Sequence, residues 1–179
     1  MIPLRCPRSG PPCAGLQTDE KGLRPHWMTR AAEDEIVRGF LACTLPKSQW
    51  THLAHLRVGL WHVLEHGAQG ALELLRVRIC AYNESTGVAN TDSSGYHETI
   101  TRFYVGVIDA FTCTSDLARP FDDLARELIV RYGDRDLPLR YYSRERLFSV
   151  LARRSWLPPD EVPLPAEWAF EPGTYCNGT

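Results

Sequence analysis

The chain has no apolar run near the roughly 18 residues that a membrane span needs. Residues 1–28 lack the continuous apolar core of a signal peptide. The formal net charge is only −2, so no global field draws the protein to nucleic acid or to an anionic membrane. No GxSxG, P-loop, GxGxxG or HExxH pattern occurs, which removes the common serine-hydrolase, nucleotide and zincin signatures. The cysteines form no CxxC pair, so a zinc ribbon and a thioredoxin-type motif are excluded. Cys43, Cys80 and Cys113 fall in predicted helices and read as free thiols packed like small hydrophobes, while Cys6, Cys13 and Cys176 lie in the irregular ends. An alternation of period two never persists, which argues against a sheet. Together these absences point to a cytoplasmic helical protein.

What is present fits that reading. A length of 179 residues with 44% hydrophobic content supports one domain with a real core. The expected fold is all-α, a compact bundle of five to six helices between irregular tails. Residues 1–27 are proline- and glycine-rich without a helical period and read as a disordered tail, with Met28 as an alternative start. The helical domain is expected over 28–158, and 159–179 reads as a proline-rich tail. Thr29 suits an N-cap for a first helix that carries Ile36, Val37, Phe40 and Leu41 and ends at Pro46. Ser48 suits the cap of a second helix, which Gly67 stops. A third covers about 71–82, and a fourth begins near Tyr96. The fifth lies between Pro120 and Gly133, and a short sixth covers about 143–153.

Four histidines, His52, His55, His62 and His66, share the second helix. At about 100° per residue they occupy an arc of about 80° beside the leucine stripe. At about 1.5 Å of rise per residue, His52 and His62 are about 15 Å apart, whereas a metal ion holds ligands only about 2 Å away. They therefore divide into two pairs, His52 with His55 and His62 with His66, the second near Glu33. His97, opening the fourth helix, falls within that helix's apolar arc, and Glu98 projects about 100° away from it. If the helices alternate in direction, His97 and Asn83 arrive at the pole that holds His52 and His55. The polar connection 83–95 would then cover that pole.

Three converging imidazoles suit Fe, Zn, Mn, Ni or Cu with an open position for water or a small-molecule substrate. On this reading His52, His55 and His97 are the ligands. Glu98 is the acid/base or accessory ligand, and Tyr96 orients substrate or donates a proton. Two alternatives come from other classes. One is a non-catalytic helical binding module that uses the 83–95 loop and the arginine patch of 140–154, where Arg140, Arg144, Arg146, Arg153 and Arg154 face Glu145 alone. The other is a helical subunit that docks a partner through an exposed apolar stripe.

The segments Trp50-Thr51-His52-x-x-His55-Leu56 and Gly95-Tyr96-His97-Glu98-Thr99 resemble a family of small bacterial helical proteins. The resemblance spans about 30–160. It implies no reaction, but it marks the same residues that helical spacing singles out.

Overall fold

The computed structural model describes residues 34–169. The tail over 1–27 and the expected roles of Thr29 and Glu33 lie outside them, as do residues 170–179. Asp34 opens helix α1 (Glu35–Leu41) by accepting the Val37 amide at 3.0 Å, and Val37 and Phe40 are buried. The chain then doubles back, with the Thr44 and Leu45 amides both donating to the Gly39 carbonyl. Pro46 begins a single 3-10 turn (Lys47–Gln49) that contains Ser48. The cap expected of Ser48 passes to Thr51, whose Oγ1 accepts the Ala54 amide at 3.3 Å.

Helix α2 (His52–Ser85) is broken at Gly67, where φ is 66° and ψ 171°. Only glycine adopts that conformation without strain. The second half folds back along the first, bringing Tyr82 to Trp50 and Arg78 to His62. The stop at Gly67 and the antiparallel pair are as the sequence predicts. The second half, however, resumes directly after the glycine and continues to Ser85, beyond the expected 71–82.

Helix α3 (Glu98–Thr114) packs across both halves of α2, and α4 (Phe121–Tyr132) runs from Pro120 to Gly133. Pro120 stands at the N-cap rather than inside the first turn. The expected sixth helix is two: α5 (Arg144–Leu147) and α6 (Val150–Arg154). The cause is Ser149, whose Oγ accepts the Ala152 amide and restarts the backbone. The 159–169 segment is irregular, yet it is packed. Trp168 meets Phe103, Tyr132 and Tyr141 with ring centroids 5.4–5.8 Å apart.

The described residues thus form an all-α bundle of six helices with no strand. No helix among them is long and apolar enough to cross a membrane. The main core joins α1, both halves of α2, α3 and α4, and includes Phe40, Leu56, Leu60, Leu72, Tyr82 and Leu128. A second cluster, Phe103, Val107, Leu137, Tyr142 and Leu147, fastens α5 and the C-terminal segment to the outer side of α3. Burying each such side chain contributes roughly 1.5–3 kcal/mol.

Gly67→Ala is expected to destabilise the fold by about 1–3 kcal/mol, because an added Cβ would meet nothing within 4 Å and only the backbone conformation is penalised. Urea denaturation followed by circular dichroism measures this. An unchanged midpoint would show that the chain has another way of turning at this point.

Candidate functional site

Three consecutive polar side chains at the start of α3 are buried, and each is bound to a different part of the chain. His97 is the N-cap, and its Nδ1 accepts the Ile100 amide at 3.3 Å. Its Nε2–H donates to the Leu147 carbonyl at 2.9 Å, which fixes a neutral tautomer. Burial, assisted by the Arg153 charge, lowers its pKa to about 4. Glu98 is only 7% exposed, contrary to the expectation that it projects away from the apolar face. The Arg76 guanidinium covers it from α2, with Nε donating to Oε2 at 2.9 Å and Nη2 to Oε1. The Tyr96 hydroxyl donates to the same Oε2 at 2.8 Å. Thr99 Oγ1 donates to the Ser155 carbonyl at 2.8 Å and accepts the Leu157 amide at 3.1 Å.

This arrangement answers the expectation for these residues. Both nitrogens of His97 are occupied by protein partners, and so are both oxygens of Glu98. Tyr96, with its hydroxyl on Glu98, is held above its ordinary pKa by burial and by that carboxylate. The level of α3 that meets His52 is Tyr104, with ring centroids 5.2 Å apart. That is seven residues past His97, or about 10 Å along the helix. Among the described residues no three His, Cys, Asp or Glu side chains converge in a way that could hold a metal ion.

The 86–97 connection is also committed elsewhere. Asn90 is its hub: its side chain accepts from Asn83 and from the Tyr96 amide and donates to the Cys80 carbonyl, all within 2.9–3.1 Å. Arg154 pairs with Asp92 through two bonds of 2.7 and 2.8 Å, and Arg153 donates to the Gly95 and Tyr96 carbonyls. Arg140 pairs with Asp134, Arg146 donates to the Pro158 carbonyl, and Arg144 lies over the Phe148 ring. The arginine patch of 140–154 is therefore spent largely on pinning this protein's own loops. The 83–95 loop does not lie over His52 and His55 as a lid.

His52 and His55 do come together, on the wall of a cleft of about 400 Å³. Helix α2 supplies Leu56, Val58, Gly59, Leu75 and Ile79, and α3 supplies Ile100, Tyr104, Val105 and Ile108. The opposite wall is Arg135, Asp136, Pro138, Leu139, Leu147 and Phe148. His55 donates from Nδ1 to the Thr51 carbonyl at 2.6 Å and stacks on Trp50, with centroids 3.8 Å apart. His52 Nε2 is buried without a hydrogen-bond partner. Desolvation first, and the Arg135 charge second, lower the His52 pKa and favour its neutral form. A buried ring nitrogen left unpaired costs about 1–3 kcal/mol, so His52 is a strained point in the wall of the cleft.

Comparison of the chain with protein-family models, curated proteins and solved structures finds no match. The chemistry is therefore argued from the cleft alone. Of the sequence-derived site residues it contains His52 and His55, but not Tyr96, His97 or Glu98. Sequence reasoning missed its far wall, because the 3-10 turn Leu137–Arg140 and the short α5 carry too few residues for a periodic signal.

Of the other histidine pair, His62 is structural. His62 is fully buried, donates from Nδ1 to the Val58 carbonyl at 2.7 Å and accepts Arg78 on Nε2 at 2.9 Å. Burial lowers its pKa to about 3.

Two outcomes are expected here. Arg76→Met should destabilise the protein by about 2 kcal/mol by leaving the buried Glu98 unpaired, a figure discounted for the water that reaches the 42% exposed arginine side chain. Adding Glu98→Gln should restore part of the loss in urea titrations, and strict additivity would refute the pairing. The second outcome concerns pH. An unfolded histidine titrates near 6.5, whereas His62 and His97 in the fold stay neutral down to about 3 and about 4. Between those limits the unfolded chain binds more protons, so stability falls as pH falls below about 6.5. The loss is up to about 1.4 kcal/mol per pH unit for each ring. Urea midpoints at about pH 7.5, 6 and 5 test this, and His97→Gln should flatten the slope. A pH-independent midpoint over that range would count against buried neutral rings.

Proposed function

We propose that this protein binds a small molecule with an apolar body, held in the cleft between α2, α3 and the 135–148 segment. The observation that carries this reading is the cleft itself: about 400 Å³ with a largely apolar lining and the polar residues His52, His55, Arg135 and Asp136 among it. Ligand sites have this make-up, typically about 300–1,000 Å³ of largely apolar lining with a few polar groups that orient the ligand.

The reading follows the non-catalytic binding module expected from the sequence, with its binding surface moved from the 83–95 loop and the arginines to this cleft. A metal-dependent enzyme built on His52, His55 and His97 has less support, because His97 serves as cap and tether at the start of α3. The Fe, Zn, Mn, Ni or Cu centre of that reading would need the His97 ring released from Leu147 and Ile100.

Nile red, a neutral fluorescent probe, should bind saturably at one site. Leu139→Trp fills the cleft from its partly buried rim and should weaken binding by at least about tenfold while leaving the circular dichroism spectrum unchanged. Equal affinity in a folded Leu139→Trp variant would refute the cleft as the binding site.

A further inference from the structure

Two opposite charges stand side by side at the cleft, and neither is used. Arg135 and Asp136 are adjacent in the chain, both line the cleft and both are exposed. Neither side chain forms an ion pair with the other or with any other described residue. Their surroundings are otherwise well matched. Asp134 is taken by Arg140 and by the Asp136 amide, and the Tyr104 hydroxyl donates to the Asp134 carbonyl. His52 lines the same cleft, with its Nε2 buried. Below these polar groups the wall is apolar, from Leu56, Leu75, Ile79 and Ile108.

A ligand complementary to this pattern carries both charges on one small head and an apolar group behind it. A plain carboxylate would gain Arg135 but meet the repulsion of Asp136, and a plain amine would meet the reverse. A head with both an ammonium and a carboxylate satisfies the pair together and neutralises the opening. Charge-assisted hydrogen bonds to each are the stronger kind.

We infer that the cleft takes an α-amino acid with a bulky apolar side chain, its carboxylate on Arg135, its ammonium on Asp136 and its side chain among the α2 and α3 apolar residues. This assignment rests on the cleft being a ligand site, as proposed above.

The test is isothermal calorimetry of the full chain with L-phenylalanine, L-leucine, phenylalaninamide and N-acetylphenylalanine, with Nile red displacement as an independent report on the cleft. The two free amino acids should bind and displace the probe. The amide, which lacks the carboxylate, and the N-acetyl compound, which lacks the ammonium, should each bind at least about tenfold more weakly. Arg135→Gln should weaken N-acetylphenylalanine and L-phenylalanine but not the amide, whose ammonium is freed from the arginine's repulsion. Asp136→Asn should weaken the amide and L-phenylalanine but not the N-acetyl compound, whose carboxylate is freed from the aspartate's repulsion. Both positions are exposed, so the variants are expected to fold. Equal affinities across the four compounds, or indifference to both substitutions, would overturn the assignment of the head group while Nile red binding kept the cleft reading intact. Failure of Nile red itself to bind would overturn both.

Discussion

The bundle depends on one constraint: polar groups buried at the start of α3 must find partners inside the protein. His97, Glu98 and Thr99 meet it in three directions, toward α5, toward the second half of α2 and toward the segment after α6. Three successive residues cannot lie on one face of a helix, so together they join segments that the apolar core alone would leave apart. The hydrophobic contacts supply most of the free energy but have little directional preference. The hydrogen-bonded clasp selects which segments lie together, and its Arg76–Glu98 pair sets where α3 crosses α2.

That constraint explains what the sequence revealed and what it concealed. Helix positions were legible wherever a period of 3.6 continued for three turns or more, as in both halves of α2, in α3 and in α4. Gly67 was legible as a break because a glycine between two such patterns has few other reasons to be there. Short elements were not. Ser149 divides an apparent single helix through one hydroxyl bond, and Ser48 and Thr51 are indistinguishable as caps until the turn at Pro46 is known. Asn90 carries no periodic signal at all, yet it organises its loop.

The same limit applies to the site. Helical spacing brought out His52, His55, His97 and Glu98 as residues that need partners, and each of them does sit in an unusual environment. Spacing along one helix says nothing about the angle at which another helix crosses it. The crossing places Tyr104 beside His52, and so the residues divide into a clasp and a cleft. The pairing of two histidines survived because they lie on one helix, one turn apart. The third was separated because its position depended on tertiary geometry.

Helix α5 belongs to both regions, and α6 to the clasp. Leu147 and Phe148 form part of the cleft wall, the Leu147 carbonyl receives His97, and Arg153 and Arg154 grip the loop before α3. With only four and five residues, these helices have little rigidity of their own and take their position from those ties. Outward displacement of this wall would therefore pull on the loop before α3 through those same ties.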